Sequence, residues 1–230
     1  MCYNNFIMEA RYSRNIPSIS ESDQDLLQQK KVAIIGCGGL GGYLCEFSAR
    51  LGIGHIVVCD GDVFEESNLN RQILSTEGNL GTLKAEAAKA YIECTNPHCQ
   101  VEMICQPFSA ENHAFLDGCD LILDGLDNIR SRLALEDVAT EKNIPIVHGA
   151  VSGWGGQVAV IYPGDHLLHK LYEKTPETDI KTVLPFAAAA CATMQMAKAL
   201  RLLTGREMAP KGSILVFDLL SDTCETIQID

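Results

Sequence analysis

The stretch Gly36-Cys37-Gly38-Gly39-Leu40-Gly41-Gly42 follows the apolar run KVAII. Gly36, Gly38 and Gly41 fit the G-x-G-x-x-G pattern of a nucleotide-binding turn. Glycines there let the backbone approach a phosphate, while the N-terminus of a following helix supplies N–H donors and the positive end of its dipole. Asp60 ends the next apolar run, HIVVCD, where an acid can accept hydrogen bonds from ribose hydroxyls. These features alone suit NAD, FAD or ATP equally. They also suit a glycine turn that serves only close packing.

The residues that follow separate these ligands. From Asp60 to Gln72 the chain is polar where a dehydrogenase would begin its next helix, and it places Asn68 and Arg71 just beyond the acid. Lys84 opens the helical stretch GTLKAEAAKA. Arg71 and Lys84 are two cations able to neutralise a triphosphate, a tail that a nicotinamide dinucleotide lacks. The sequence LDGLDN then sets Asp124 and Asp127 at the end of another apolar run, with Asn128 beside them. A carboxylate together with phosphate oxygens is the usual way to hold Mg²⁺. Plain readings stand beside each of these: Arg71 as a surface arginine paired with Glu65 or Glu66, Lys84 as a solvated helix lysine, Asp124 as a cap on its turn.

These residues must be positioned by alternating strands and helices. KVAIIG, HIVVCD, QVEMIC (100–105), CDLILD (119–124) and IPIVHG (144–149) read as strands. Helices are predicted over Leu40–Leu51, Leu83–Glu93 and Asn128–Asn143. The alternation predicts a Rossmann-like, doubly wound α/β fold with a mostly parallel sheet. After Gly149 the pattern changes. GGQVAVIY, GSILVFDLL and TCETIQID read as an antiparallel C-terminal extension, around a helix over Phe186–Leu203 closed by Gly205. Residues 163–185 read as a long polar crossover loop, and residues 1–30 as a polar, irregular arm with a short helix near Glu21–Gln29.

RYSRN (11–15), IIGCGGLGG (34–42), CDGDVFEESNLNRQ (59–72), GTLKAEAA (81–88), DGLDN (124–128) and HGAVSGWGGQ (148–157) occur in an order that resembles the ThiF/MoeB/HesA family, bacterial relatives of ubiquitin-activating enzymes. The SNLNRQ and LDN elements are far more specific than the glycine loop. The resemblance implies an adenylyltransferase that uses ATP and Mg²⁺ to activate the C-terminal glycine of a small ubiquitin-like sulfur-carrier protein of the ThiS or MoaD kind, with a Gly-Gly end, in thiamine, molybdopterin or tungstopterin synthesis. Carried over by position, Gly38 and Gly39 lie against the phosphates and Asp60 binds ribose. Asn68, Arg71 and Lys84 contact phosphates, Asp127 holds Mg²⁺ with Asn128 beside it, and Arg14 reaches the phosphates from the partner of a homodimer. The resemblance covers the chain as one adenylation domain: an arm (1–30), a nucleotide-binding half (31–150) and a carrier-binding half (151–230).

The chain departs from the family in its cysteines. Many relatives hold a structural zinc with two CxxC pairs, and no CxxC occurs here, so no structural zinc is expected. His166 and His169 are read as solvated loop residues, and Cys94, His98, Cys99 and Cys105 as a chance grouping rather than a metal site. Residues 163–185 lack a cysteine for a covalent carrier intermediate. Cys191 reads as a small packing residue, because a reactive thiolate needs a polar or cationic setting. His148 and Trp154 read as packing and hydrogen-bonding residues near the pocket.

Charge and composition narrow the remaining classes. Thirty acidic against 18 basic residues give a net charge of −12, which disfavours a nucleic-acid partner, including a tRNA-modifying role. The ten cysteines, several inside apolar runs, read as reduced thiols in a cytoplasm rather than a secreted disulfide scaffold. No membrane span and no signal peptide are expected. An NAD(P)-dependent oxidoreductase and a non-catalytic carrier-binding partner remain as alternatives.

Overall fold

The computed structural model describes residues 9–172, 174–175 and 182–229. Among the described residues eight strands form one sheet: β1 (Lys31–Ile35), β2 (His55–Cys59), β3 (Gln100–Ile104), β4 (Leu121–Asp124), β5 (Ile146–Ser152), β6 (Gly155–Ile161), β7 (Ser213–Asp218) and β8 (Thr223–Gln228). Their order is β3-β2-β1-β4-β5-β6-β7-β8. Strands β1 to β5 run parallel, and β6, β7 and β8 join antiparallel. The central strands β1, β2 and β4 are buried almost throughout, as continuous apolar runs in a parallel sheet should be. The edge strand β3, in which Gln100 and Glu102 alternate with apolar residues, is largely exposed.

Helices cover both faces. The helices α2 (Gly41–Leu51), α3 (Lys84–Thr95) and α6 (Pro185–Leu203) pack on one side, with Leu44, Ile92 and Met196 against Ile34, Val58 and Leu123. On the other side α4 (Ile129–Glu141) and α5 (Leu167–Tyr172) bury Leu135, Val138, Leu167 and Leu168 against Ile35, Ile122 and Ile161. The doubly wound arrangement read from the sequence is therefore present, with its antiparallel extension.

Two readings are corrected. The crossover stretch is not loop from end to end, because α5 lies within it. Leu167 and Leu168 anchor this turn-and-a-half in the core, and the buried Glu136 carboxylate accepts hydrogen bonds from the N–H groups of Leu168 (3.1 Å) and His169 (3.0 Å). Glu173 and residues 176–181 lie outside the described residues. From residue 9 on, the arm is also packed rather than irregular, burying Tyr12 and Ile19. The short helix expected near Glu21–Gln29 is present as α1 (Glu21–Leu27), which starts in a capping box at Ser20 and Asp23. Among the described residues no helix is long and apolar enough to cross a membrane.

Candidate active site

Strand order reverses between β1 and β4, which opens a crevice at their carboxyl ends, the usual ligand position in an open α/β sheet. The glycine loop follows β1 and the β4–α4 turn follows β4. The two close on each other backbone to backbone. Gly36 has φ +89°, in the left-handed region, and donates to Cys59 O at 2.8 Å. A Cβ at Gly41 would lie 1.8 Å from Gly36 O, and one at Gly125 would lie 2.6 Å from the same oxygen. Gly38 and Gly39 are different. A Cβ there would meet the Gln72 amide at 3.5 Å and Arg71 Cγ at 3.7 Å, both ordinary contacts. Packing does not require glycine at those two positions.

Asp60 ties this loop to the segment after β2. Its Oδ2 accepts from Cys37 N (2.7 Å) and its Oδ1 from Asp62 N (2.8 Å). Burial raises its pKa above the ordinary carboxylate value. Lys84 is the first residue of α3 and is buried; its Nζ donates to Asp62 Oδ2 at 3.0 Å. It is therefore not a solvated helix lysine. Arg71 donates to Ser67 O and Asn70 Oδ1, both at 2.9 Å, and not to Glu65 or Glu66. Asn68 is buried and its Oδ1 accepts from Glu65 N at 3.2 Å, which caps a short 3-10 turn.

Two residues not singled out from the sequence belong here. Asp62 holds Lys84. Gln72 is buried with its Oε1 unpartnered, beside Gly38. The SNLNRQ motif contains Gln72, so the motif was the available signal.

Around β4, Asp124 is fully buried and both of its oxygens are engaged. Oδ1 accepts from Leu126 N (2.9 Å), the turn-cap role, and Oδ2 faces His148 Nδ1 (2.7 Å). His148 Nε2 lies 3.0 Å from the Tyr172 hydroxyl, whose oxygen accepts from Gln157 Nε2. Burial lowers the His148 pKa, against the opposing pull of Asp124. Asp127 is exposed on the turn, and Asn128 caps α4 by accepting from Ser131 N at 2.8 Å.

Other candidates stand apart. Arg14 is exposed in the arm, whose Tyr12 packs on Gly52 and bonds Asn96 at the ends of α2 and α3. That is the far end of α2 from the glycine loop, roughly 16 Å of helix away. Cys191 is buried, and burial pushes its thiol up to about 12. Trp154 is exposed and tilts against Phe186 at 5.1 Å, while His169 bonds Asp137 at 2.9 Å. Among the described residues no group of three or more His, Cys, Asp and Glu side chains is placed to hold a metal ion.

A profile of the ThiF family matches residues 12–230. The SAMP-activating enzyme E1 of Haloferax volcanii is 34% identical over 94% of this chain and 84% of its own length. The sulfur carrier protein ThiS adenylyltransferase of Bacillus subtilis is 33% identical over 88% of this chain and 63% of its own length. The chain spans about half of some longer relatives, such as 51% of the adenylyltransferase and sulfurtransferase MOCS3 of Drosophila sechellia. The crystal structure of E. coli MccB with ATP has the same fold, with a TM-score of 0.81 at 20% identity, covering 96% of this chain and 71% of that one. Homologues of this chain are named adenylyltransferases of the ThiF/MoeB type. By the extent of the family match and the identity to these relatives, the chain belongs to the ThiF family.

Proposed function

We propose that the chain is an ATP-dependent adenylyltransferase acting on the C-terminal glycine carboxylate of a small ubiquitin-like sulfur-carrier protein of the ThiS or MoaD kind, in thiamine, molybdopterin or tungstopterin synthesis. The observation that carries the reading is the pair of cations at the strand switch point: Arg71 laid against Gly39, and Lys84 buried behind Asp62. The names of relatives that activate SAMP and ThiS support the substrate class.

In this reading the carrier carboxylate oxygen bonds to the α-phosphorus of ATP as the bond to the β-bridging oxygen breaks. The electron pair leaves with pyrophosphate, and no proton need move. Lys84 and Arg71 offset the repulsion between two anions and stabilise the charge that develops on the leaving group. Burial makes the Lys84 charge act more strongly than a solvated one would. Asp62 keeps that charge paired until a phosphate competes for it. Gly38 and Gly39 leave their backbone open to the phosphates, while Asp60 keeps a lone pair on each oxygen for ribose hydroxyls. Asn68 and Asn128 brace the loops on either side.

Of the two carboxylates after β4, Asp127 suits Mg²⁺ and Asp124 does not. The ion takes most of its ligands from phosphates and water, so one exposed carboxylate suffices, whereas Asp124 is committed inside the core. Bound there, Mg²⁺ supplies charge neutralisation at the departing pyrophosphate. Arg14 reaches a phosphate only from a second copy of the chain, which makes a homodimer part of this proposal. The described cysteines are free thiols, in keeping with work in a reducing cytoplasm.

Intact-mass analysis of a Gly-Gly-ended carrier incubated with the protein, ATP and MgCl₂ tests the reading. A carrier–AMP adduct is expected. An unmodified carrier, with NAD(P)H rather than ATP raising the melting temperature, would overturn it.

A further inference from the structure

Leu126 immediately precedes Asp127, and both polar groups of Leu126 are held from inside the protein. Its N–H donates to Asp124 Oδ1 at 2.9 Å, and its carbonyl accepts from the Arg132 guanidinium at 2.6 Å. Both holders are buried and both are held in turn. Arg132 also donates to Gly149 O at 3.3 Å, and its Nε lies 3.6 Å from Asp124 Oδ2. His148, fully buried on β5, meets Asp124 Oδ2 at 2.7 Å. With Asp124 accepting, Nδ1 carries the proton, and Nε2 accepts from the Tyr172 hydroxyl at 3.0 Å. The turn so held abuts the glycine loop, with no room for a side chain between Gly125 and Gly36 O.

Asp124 already caps the turn, and Arg132 adds a second hold on the same residue. Arg132 leaves its own Nε without a hydrogen-bond partner while fixing the Leu126 carbonyl. Buried polar groups outside a site commonly orient the groups inside it.

We propose that Arg132 and His148 are positioning residues for Asp127. Together with Asp124 they fix the peptide from which the Asp127 carboxylate springs, in register with the glycine loop, and so set the grip on the Mg²⁺ that accompanies the triphosphate. The inference rests on the reading of Asp127 as the metal-binding carboxylate.

The test is calorimetric titration of ATP into the full chain, in MgCl₂ and in EDTA, with no carrier present. Mg²⁺ strengthens ATP binding to the wild type and to His148→Asn, whose amide N–H₂ can still donate to Asp124. His148→Leu loses about tenfold of that gain, the usual scale for a group behind a metal ligand, and keeps its affinity in EDTA. Asp127→Asn costs the His148→Leu protein less of the Mg²⁺ gain than it costs the wild type, because both act on one contact.

If His148→Leu does not fold, Arg132→Lys replaces it. That variant keeps a cation beside Asp124 but cannot span the Leu126 and Gly149 carbonyls, and the same loss is expected. Folded variants that keep the full Mg²⁺ gain, while Asp127→Asn loses it, would overturn the positioning role alone. A drop in EDTA equal to that in MgCl₂ would reduce these residues to structural ones. An Asp127→Asn protein with the full gain would remove the metal role of Asp127 and this inference with it.

Discussion

Gly38 and Gly41 stand three residues apart in one loop but are glycine for different reasons. Gly41→Ala puts a methyl where Gly36 O already sits, and it is expected to cost about 3 kcal/mol or more, or to prevent folding. Gly38→Ala meets only the Gln72 side chain, so its stability should stay within about 1 kcal/mol of wild type while ATP binding weakens. Denaturant melts and ATP titrations of the two variants check this contrast. His148 gives a pH prediction. Its folded pKa lies below the usual 6.5, so the unfolded chain takes up the proton first as pH falls. The contribution to stability is present above about 6.5 and is lost on acidification through the folded pKa. Urea melts from pH 7.5 to 5 should show this fall, and His148→Asn should flatten it. At this scale the sequence disclosed the residues but not their partners. Arg71, Lys84 and Asp127 stand out as candidates because the motif order singles them out. The Asp62–Lys84 pair, the unpartnered Gln72 Oε1 and the Asp124–His148–Arg132 network depend on chain segments meeting across the fold, and no spacing along one segment encodes them.

Elements were legible where burial imposes a pattern. The apolar runs of β1, β2 and β4 and the long small-residue face of α6 announce themselves. The turn-and-a-half of α5 is too short to show a period. It exists because two leucines and the Glu136 carboxylate hold it, and Glu136 lies on another helix. In β3 the alternation of Gln100 and Glu102 with Val101 and Met103 already marks a strand that is not buried on both faces, and it forms the largely exposed edge. Cys191 follows from its place on α6, where the thiol faces the carbonyls of Ala150 and Gln157. With a pKa of about 12 it stays a neutral thiol at any working pH. A thiol-specific reagent should label the exposed Cys94, Cys105 and Cys224 of the native protein and spare Cys191. Cys191→Ala should leave carrier adenylation unchanged, and loss of activity in that variant would reopen a covalent role.

The whole molecule sets one further demand. The sheet places the glycine loop and Asp127 at one end, and the arm with Arg14 is pinned at the other. If Arg14 acts, a second copy must bring it. Mixing inactive Arg14→Ala and Arg71→Ala proteins should then restore about a quarter of wild-type activity, since half the dimers are hybrids and each hybrid has one intact site. No recovery after subunit exchange would place Arg14 outside the site. The central claim is that the crevice between β1 and β4 uses ATP to activate a carrier carboxylate. ATP–pyrophosphate exchange, measured with a panel of small Gly-Gly-ended carrier proteins, tests it most directly. Carrier-dependent exchange that requires Mg²⁺ and disappears in Lys84→Met is the result expected. ATP binding without exchange for any carrier that docks on the protein would contradict it, and would leave a binding partner rather than an enzyme.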